Sequence, residues 1–146
     1  MDCFKKNPDV EINFLEHTAD VGIEVFAADK KTALEAAACA LLNLITDTSK
    51  VDQLKSLKIK LGPFTDDGDL LFEFLNEIIY LIDAKGMIFS SVEVESVEPV
   101  LVAVIKGEKF DPGKHQLFEQ VKAATYHGMV FESTEKRWHL RVIFDV

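Results

Sequence analysis

Cysteine is scarce in this chain of 146 residues: there are two, Cys3 and Cys39, far apart and not in a CxxC arrangement. Such usage argues against a disulfide framework and fits a reducing cytosol. Cys39 lies in an alanine-rich apolar stretch and reads as a small buried hydrophobe. Long hydrophobic runs are missing as well. The longest unbroken one, Ala36 to Leu42, falls far short of the ~20 residues that a membrane helix needs. Met1 to Asn13 has no apolar h-region, so no signal peptide is expected, and the expected location is cytoplasmic. Basic residues are outnumbered: 16 Lys and Arg face 25 Asp and Glu, for a net charge of −9. That balance argues against a broad, sequence-independent grip on nucleic acid, which needs clustered cations. It leaves room for a cation site, or for a partner protein with a basic face. There is also no GxSxG, P-loop, glycine-rich dinucleotide turn or HExxH. Neither an internal repeat at solenoid spacing nor a low-complexity segment is present.

What remains is an ordinary globular composition, 48% apolar and 28% charged. A chain of this length is expected to form one compact domain over residues 1–146, with a core large enough to fold without staples. Glu11 to Leu15 reads as a short strand. It leads into the polar turn Glu16-His17-Thr18-Ala19-Asp20, and a second strand follows over Val21 to Phe26. Gly22 inside that strand suggests a bulge or a close backbone approach. Thr32 and Glu35 have capping-box spacing ahead of a helix whose Ala33, Ala36, Ala37, Ala40, Leu41 and Leu44 recur at helical intervals. The helix should end near Thr46-Asp47, and Ser49 to Leu57 reads as a polar connection. Leu57 to Leu61 alternates as a strand up to Gly62-Pro63.

Thr65 to Asp69 places acid at the start of a second helix, where the dipole favours it. The cluster lacks the ligand spacing of an EF-hand loop. Leu71, Phe74, Leu75, Ile78 and Ile82 form the apolar stripe of that helix, and Gly86 stops it. Met87 to Ser96 and Val100 to Gly107 form a hairpin around Glu98-Pro99. A second hairpin joins Glu119–Phe131 to Trp138–Val146, with Trp138, Leu140, Val142 and Phe144 on its core face. A register centred on the bend opposes Phe131 to Trp138 and His127 to Val142. It leaves Lys122, Ala124 and Tyr126 outward beside Arg141, Ile143 and Asp145. The fold class is therefore α+β, with two helices packed on mainly antiparallel sheet.

No nucleophile constellation stands out. The histidines, His17, His115, His127 and His139, are scattered, and a lone histidine is more often structural or solvated than a ligand. A Glu, a His, a Thr and an Asp crowd the five positions 16–20, and polar loops on a rigid scaffold are where binding residues gather. At the other end, Asp145 has two readings. It forms a surface salt bridge with Arg141, worth little. Alternatively, if the chain ends at Val146, its carboxylate and the main-chain and terminal oxygens of Val146 meet Asp20. The second arrangement is an all-oxygen site suited to calcium or magnesium and not to zinc.

Several strings in this order resemble the archease family over nearly the whole chain. They are His17-Thr18-Ala19-Asp20-Val21-Gly22-Ile23, Ala36-Ala37, Leu75 to Leu81, Gly107-Glu108, Val121 to His127, and Trp138 with Val142 to Val146. Phe74 stands where the family often has Trp. The resemblance implies a domain of strand-helix-strand-strand modules. It also implies a non-enzymatic role: assisting the RNA ligase that joins 3′-phosphate or 2′,3′-cyclic-phosphate ends to 5′-hydroxyl ends in tRNA splicing and RNA repair. The assistance would be promotion of ligase guanylylation and repeated turnover. The partner would then be that ligase, with tRNA touched only indirectly, a guanine nucleotide at the ligase interface, and no membrane. The family's divalent-cation site, usually calcium, falls on Asp20, Asp145 and the main-chain oxygen of Val146. Lys122 and His127 fall in a functional-surface string, and His17 lies beside Asp20. Two readings of other classes compete: a chaperone-like modulator of RNA-processing proteins, and a small metal-dependent hydrolase with His17 or His127 as base.

Overall fold

Two short antiparallel sheets enclose a layer of two helices. The computed structural model of the chain describes residues 9–16 and 20–146. In chain order the elements are β1 (Glu11–Glu16), β2 (Asp20–Ala27), α1 (Lys30–Ile45), a 3-10 turn (Thr48–Lys50), β3 (Lys55–Leu61), α2 (Asp67–Lys85), β4 (Met87–Ser96), β5 (Leu101–Lys109), β6 (Ala123–Thr134) and β7 (Arg137–Asp145). One sheet has the order β1-β2-β7-β6, the other β3-β5-β4. The architecture is α+β, as the order of patterned segments predicts.

Helix α1 packs on β4 of one sheet and on β2 and β7 of the other. This explains its composition. Ala33, Leu34, Ala36, Ala37, Ala38, Cys39, Ala40, Leu41, Leu42 and Ile45 are all buried, which covers the helix on every side. A helix that is apolar all round belongs between layers, and small side chains let both sheets come near. Cys39 is buried as expected, but it is disulfide-bonded rather than a lone thiol, and its partner lies outside the described residues.

The helix caps are partly as the sequence suggests. Asp29, not Thr32, caps α1: its carboxylate accepts from Thr32 N at 2.7 Å. Glu35 does not reach back to the cap; its Oε2 accepts from Val94 N of β4 at 2.9 Å. An aspartate three residues ahead of Thr32 reaches the free N–H groups, which leaves Glu35 available to tie helix to sheet. Asp66 caps α2, accepting from Gly68 N and Asp69 N, and Gly86 closes it in left-handed conformation at φ 63°. Lys30 forms an ion pair with Asp67, joining the first turns of the two helices beside Trp138.

The second hairpin departs from its expected register. Near the turn, Ser133 faces Trp138 and Phe131 faces Leu140; further on, Thr125 faces Ile143, Ala124 faces Phe144 and Ala123 faces Asp145. From Thr125 to Val130, β6 spends five steps while β7 spends two, from Ile143 to Arg141. This bulge reverses the faces of the first half of β6. Ala124 turns into the core, at 2% exposure, instead of pointing outward. Gly128, at φ 63°, makes the excursion possible.

Candidate functional site

The register of β2 against β7 places Asp20 directly opposite Asp145. Paired residues of an antiparallel ladder share a face, with Cβ atoms about 4.5–5.5 Å apart. Both acids lie on the face of the sheet turned away from the helices, since Val21, Ile23, Val142 and Phe144 take the inner positions. Asp20 is half-buried and Asp145 exposed. The pairing needs close contact of β2 with β7. A Cβ on Gly22 would lie 2.8 Å from Ile143 Cδ1 and 2.9 Å from the Val142 carbonyl, so only glycine fits there. This is the close approach that its place in the strand suggests, and β2 carries no bulge.

Asp145 has no ion pair with Arg141. Four residues along one strand is about 13 Å, outside ion-pair reach. Arg141 lies opposite Glu24 instead. The rest of the outer face is closed by its own contacts. His139 stacks on Phe26 at 4.5 Å and meets Glu24 Oε2 at 2.9 Å, while the Arg137 guanidinium lies 4.6 Å from the Phe26 ring.

The last strand is also tied at its end. Lys122 N donates to the Asp145 carbonyl at 2.8 Å, and Val146 packs partly into the core. Asp20, Asp145, Val146 and the Lys122 backbone are thus gathered at one end of the sheet. His127 is not among them: it sits exposed on the β6 bulge. His17 lies outside the described residues. Among the described residues no group of three or more His, Cys, Asp or Glu side chains could hold a metal. The local donor set is therefore two carboxylates with neighbouring main-chain oxygens, which fits a hard cation and not zinc. Like charges directly opposite one another in a ladder are destabilising, and a divalent cation would relieve that repulsion.

Sequence reasoning missed a second group, where α2 meets the edge strand β6. Asn76 of α2 grips the backbone of Ala124, with Ala124 N donating to Oδ1 at 2.9 Å and Nδ2 donating to the Ala124 carbonyl at 3.3 Å. Beside it, Tyr126 stacks flat on Phe72, with centroids 4.0 Å apart, and its hydroxyl donates to Asp69 Oδ1 at 2.8 Å. That hydrogen bond, with desolvation and the charges of Asp69, Glu73 and Asp66, pushes the Tyr126 hydroxyl up to about 12. Asp69, Phe72 and Asn76 share one face of α2 at intervals of three and four, and this stripe was a readable signal beside the apolar one.

Two other features are structural. Glu108 Oε2 accepts from Asp52 N (2.7 Å) and Lys114 Nζ (2.7 Å) and meets His115 Nε2 at 3.0 Å, pinning the chain after β5. His115 is buried at 4% exposure, and its Nδ1 accepts from Asp111 N. A cavity of about 320 Å³ lies at the C-terminal end of α2, lined mainly by apolar side chains such as Ile79, Ile82, Phe110 and Leu117. Its Asp83 carboxyl is pushed up by desolvation.

The model of the archease protein family matches residues 13–146, nearly the whole chain. The chain belongs to the archease family. It is 36% identical over 136 residues to the protein archease of Pyrococcus furiosus, covering 90% of this chain and 95% of that one. It is 34% identical over 138 residues to that of Sulfurisphaera tokodaii, covering 93% and 99%. The solution structure of protein 1598 from Methanobacterium thermoautotrophicum is similar at a TM-score of 0.74 and 26% identity, covering 92% of this chain and 98% of that one. The crystal structure of an archease from Thermotoga maritima, described there as a possible chaperone, shares the fold at a TM-score of 0.68 and 23% identity, covering 90% and 94%. Among the described residues no helix is long and apolar enough to cross a membrane.

Proposed function

We propose that this archease-family chain is a non-catalytic protein cofactor of the 3′-phosphate-joining RNA ligase. In that role it promotes ligase guanylylation and repeated turnover in tRNA splicing and RNA repair, in the cytoplasm. The observation that carries the reading is the placement of Asp20 opposite Asp145 at one end of the sheet, in a chain of this family. Asp20, Asp145 and the main-chain oxygen of Val146 would hold a divalent cation, calcium by this reading. When bound, a cation there would offset the paired negative charges and link β7 to β2. The chain's own residues do the rest. Lys122, His127 and the neighbouring acids form the surface presented to the ligase, close to where that enzyme takes up its guanine nucleotide. With a net charge of −9, this surface suits docking on a cationic protein better than direct contact with tRNA, which enters only through the ligase.

The test is a ligase guanylylation assay with and without this protein, repeated after chelation. Stimulation should appear with the protein, fall on chelation, and be absent for a folded Asp20→Ala variant. Full stimulation by Asp20→Ala would sink the assignment of the site. A second reading, a chaperone-like modulator of RNA-processing proteins, is favoured by one observation: the structurally similar Thermotoga maritima protein is described as a possible chaperone. In that case the protein would suppress aggregation of unrelated unfolded clients, and guanylylation would not respond.

A further inference from the structure

Tyr126 is exposed and yet held by two contacts. It is 54% exposed, on a bulge, where a tyrosine with no task would sample several rotamers. Two contacts remove that freedom: one ring face lies on Phe72 with the planes 8° apart, and the hydroxyl is fastened to Asp69. Among the described residues no ring or cation packs on its other face. A rigid exposed aromatic has already met the ordering cost that a flexible one would meet on binding. Side chains of this type anchor protein interfaces.

The surroundings indicate what the ring can receive. Asp69, which the Tyr126 hydroxyl touches, Glu73 one turn further along α2 and the N-cap Asp66 crowd carboxylates beside the ring. A phosphate backbone is repelled there, which disfavours a nucleic-acid base as the stacking partner. A guanidinium is attracted twice, by the ring face and by the carboxylates, and its planar fork serves both at once.

We infer that the Tyr126–Phe72 stack is a docking surface for an arginine on a basic segment of the partner protein. This rests on the ligase-cofactor reading and names the contact it leaves open. Tyr126 lies three residues beyond Ala123, the β6 partner of Asp145. Its backbone therefore lies at most about 10 Å along β6 from the register position of Asp145, with the ring turned to the α2 side.

The experiment measures affinity of the purified RNA ligase for the wild-type chain and for Tyr126→Ala, Tyr126→Phe and Glu73→Lys. Guanylylation and thermal midpoint are followed in parallel. Tyr126→Ala should weaken binding by about tenfold or more, as loss of an interface anchor does. Tyr126→Phe keeps the stack, loses the Asp69 tether, and should fall between the two. Glu73→Lys changes an exposed charge on a helix surface and does not depend on the ring variants folding. It should weaken binding at low salt and much less at high salt. Equal affinity of wild type, Tyr126→Ala and Glu73→Lys overturns the inference while leaving the ligase reading standing. So does a Tyr126→Ala defect confined to bare RNA. A wild-type chain that neither binds nor stimulates the ligase removes that reading, and the inference with it.

Discussion

Replacing Asp20 by asparagine should have opposite effects on stability with and without calcium. Asp20 and Asp145 are register partners, so their charge centres lie on the order of 6 Å apart. At that distance two unit charges repel by about 0.7 kcal/mol in a water-like dielectric and by about 2.8 kcal/mol at an effective dielectric of 20. Asp145 is exposed and Asp20 only half-buried, so the lower end applies. In chelator, Asp20→Asn should therefore be more stable than wild type by about 0.5–1 kcal/mol, or about 2–3 °C in a domain of this size. Calcium at about a hundred times its dissociation constant should stabilise the wild type by about 2.7 kcal/mol, raising its midpoint by about 5–10 °C. The variant keeps the side-chain shape but loses one negative charge, and its calcium shift should be less than half as large. Scanning calorimetry of both proteins in chelator and in calcium measures all four midpoints. Equal calcium shifts in the two proteins would refute the reasoning, and so would a wild type that does not respond.

Asn76→Ala removes both side-chain partners of the Ala124 backbone, at a residue only 2% exposed. Two lost hydrogen bonds with their groups left unpaired should cost about 2–4 kcal/mol, read as a lower urea midpoint with unchanged slope. Because Ala123 and Lys122 then lose their anchor beside Asp145, calcium affinity should fall too. The third prediction concerns acid. Glu108 is held down to about 2 by Lys114, the Asp52 N–H and His115, from an ordinary value of 4.5. A folded-state value below the unfolded one means stability that is present above the unfolded value and lost as pH falls through the folded one. Wild type should therefore lose stability between about pH 5 and pH 2 more steeply than Glu108→Gln, by urea midpoints across that range. Parallel profiles would show that the Lys114–Glu108–His115 cluster adds nothing.

Local chemistry decided much of this protein before any tertiary contact formed. The stripe Leu71-Phe74-Leu75-Ile78, the acids before it and Gly86 after it specify α2 through neighbours within a few residues, where periodicity is legible. The alternation of Val92 and Val94 with Glu93 and Glu95 specifies a half-wet strand in the same way. Local chemistry did not decide which strands share a sheet. Both sets of strands have similar alternation, and only packing on the two sides of the alanine-rich α1 divides them. Nor could spacing reveal the β6 bulge. Three extra residues there cost no hydrophobic pattern that a sequence displays, yet they turn Ala124 inward and leave Tyr126 exposed over Phe72. The candidate site shows the same division. The residue types of Asp20, Asp145 and Val146, with the family strings around them, made them candidate oxygen donors from the sequence. The meeting of Asp20 with Asp145 belongs to the β2–β7 ladder alone, because pairing between residues so far apart in sequence is set by the whole core, and glycine at position 22 only permits it.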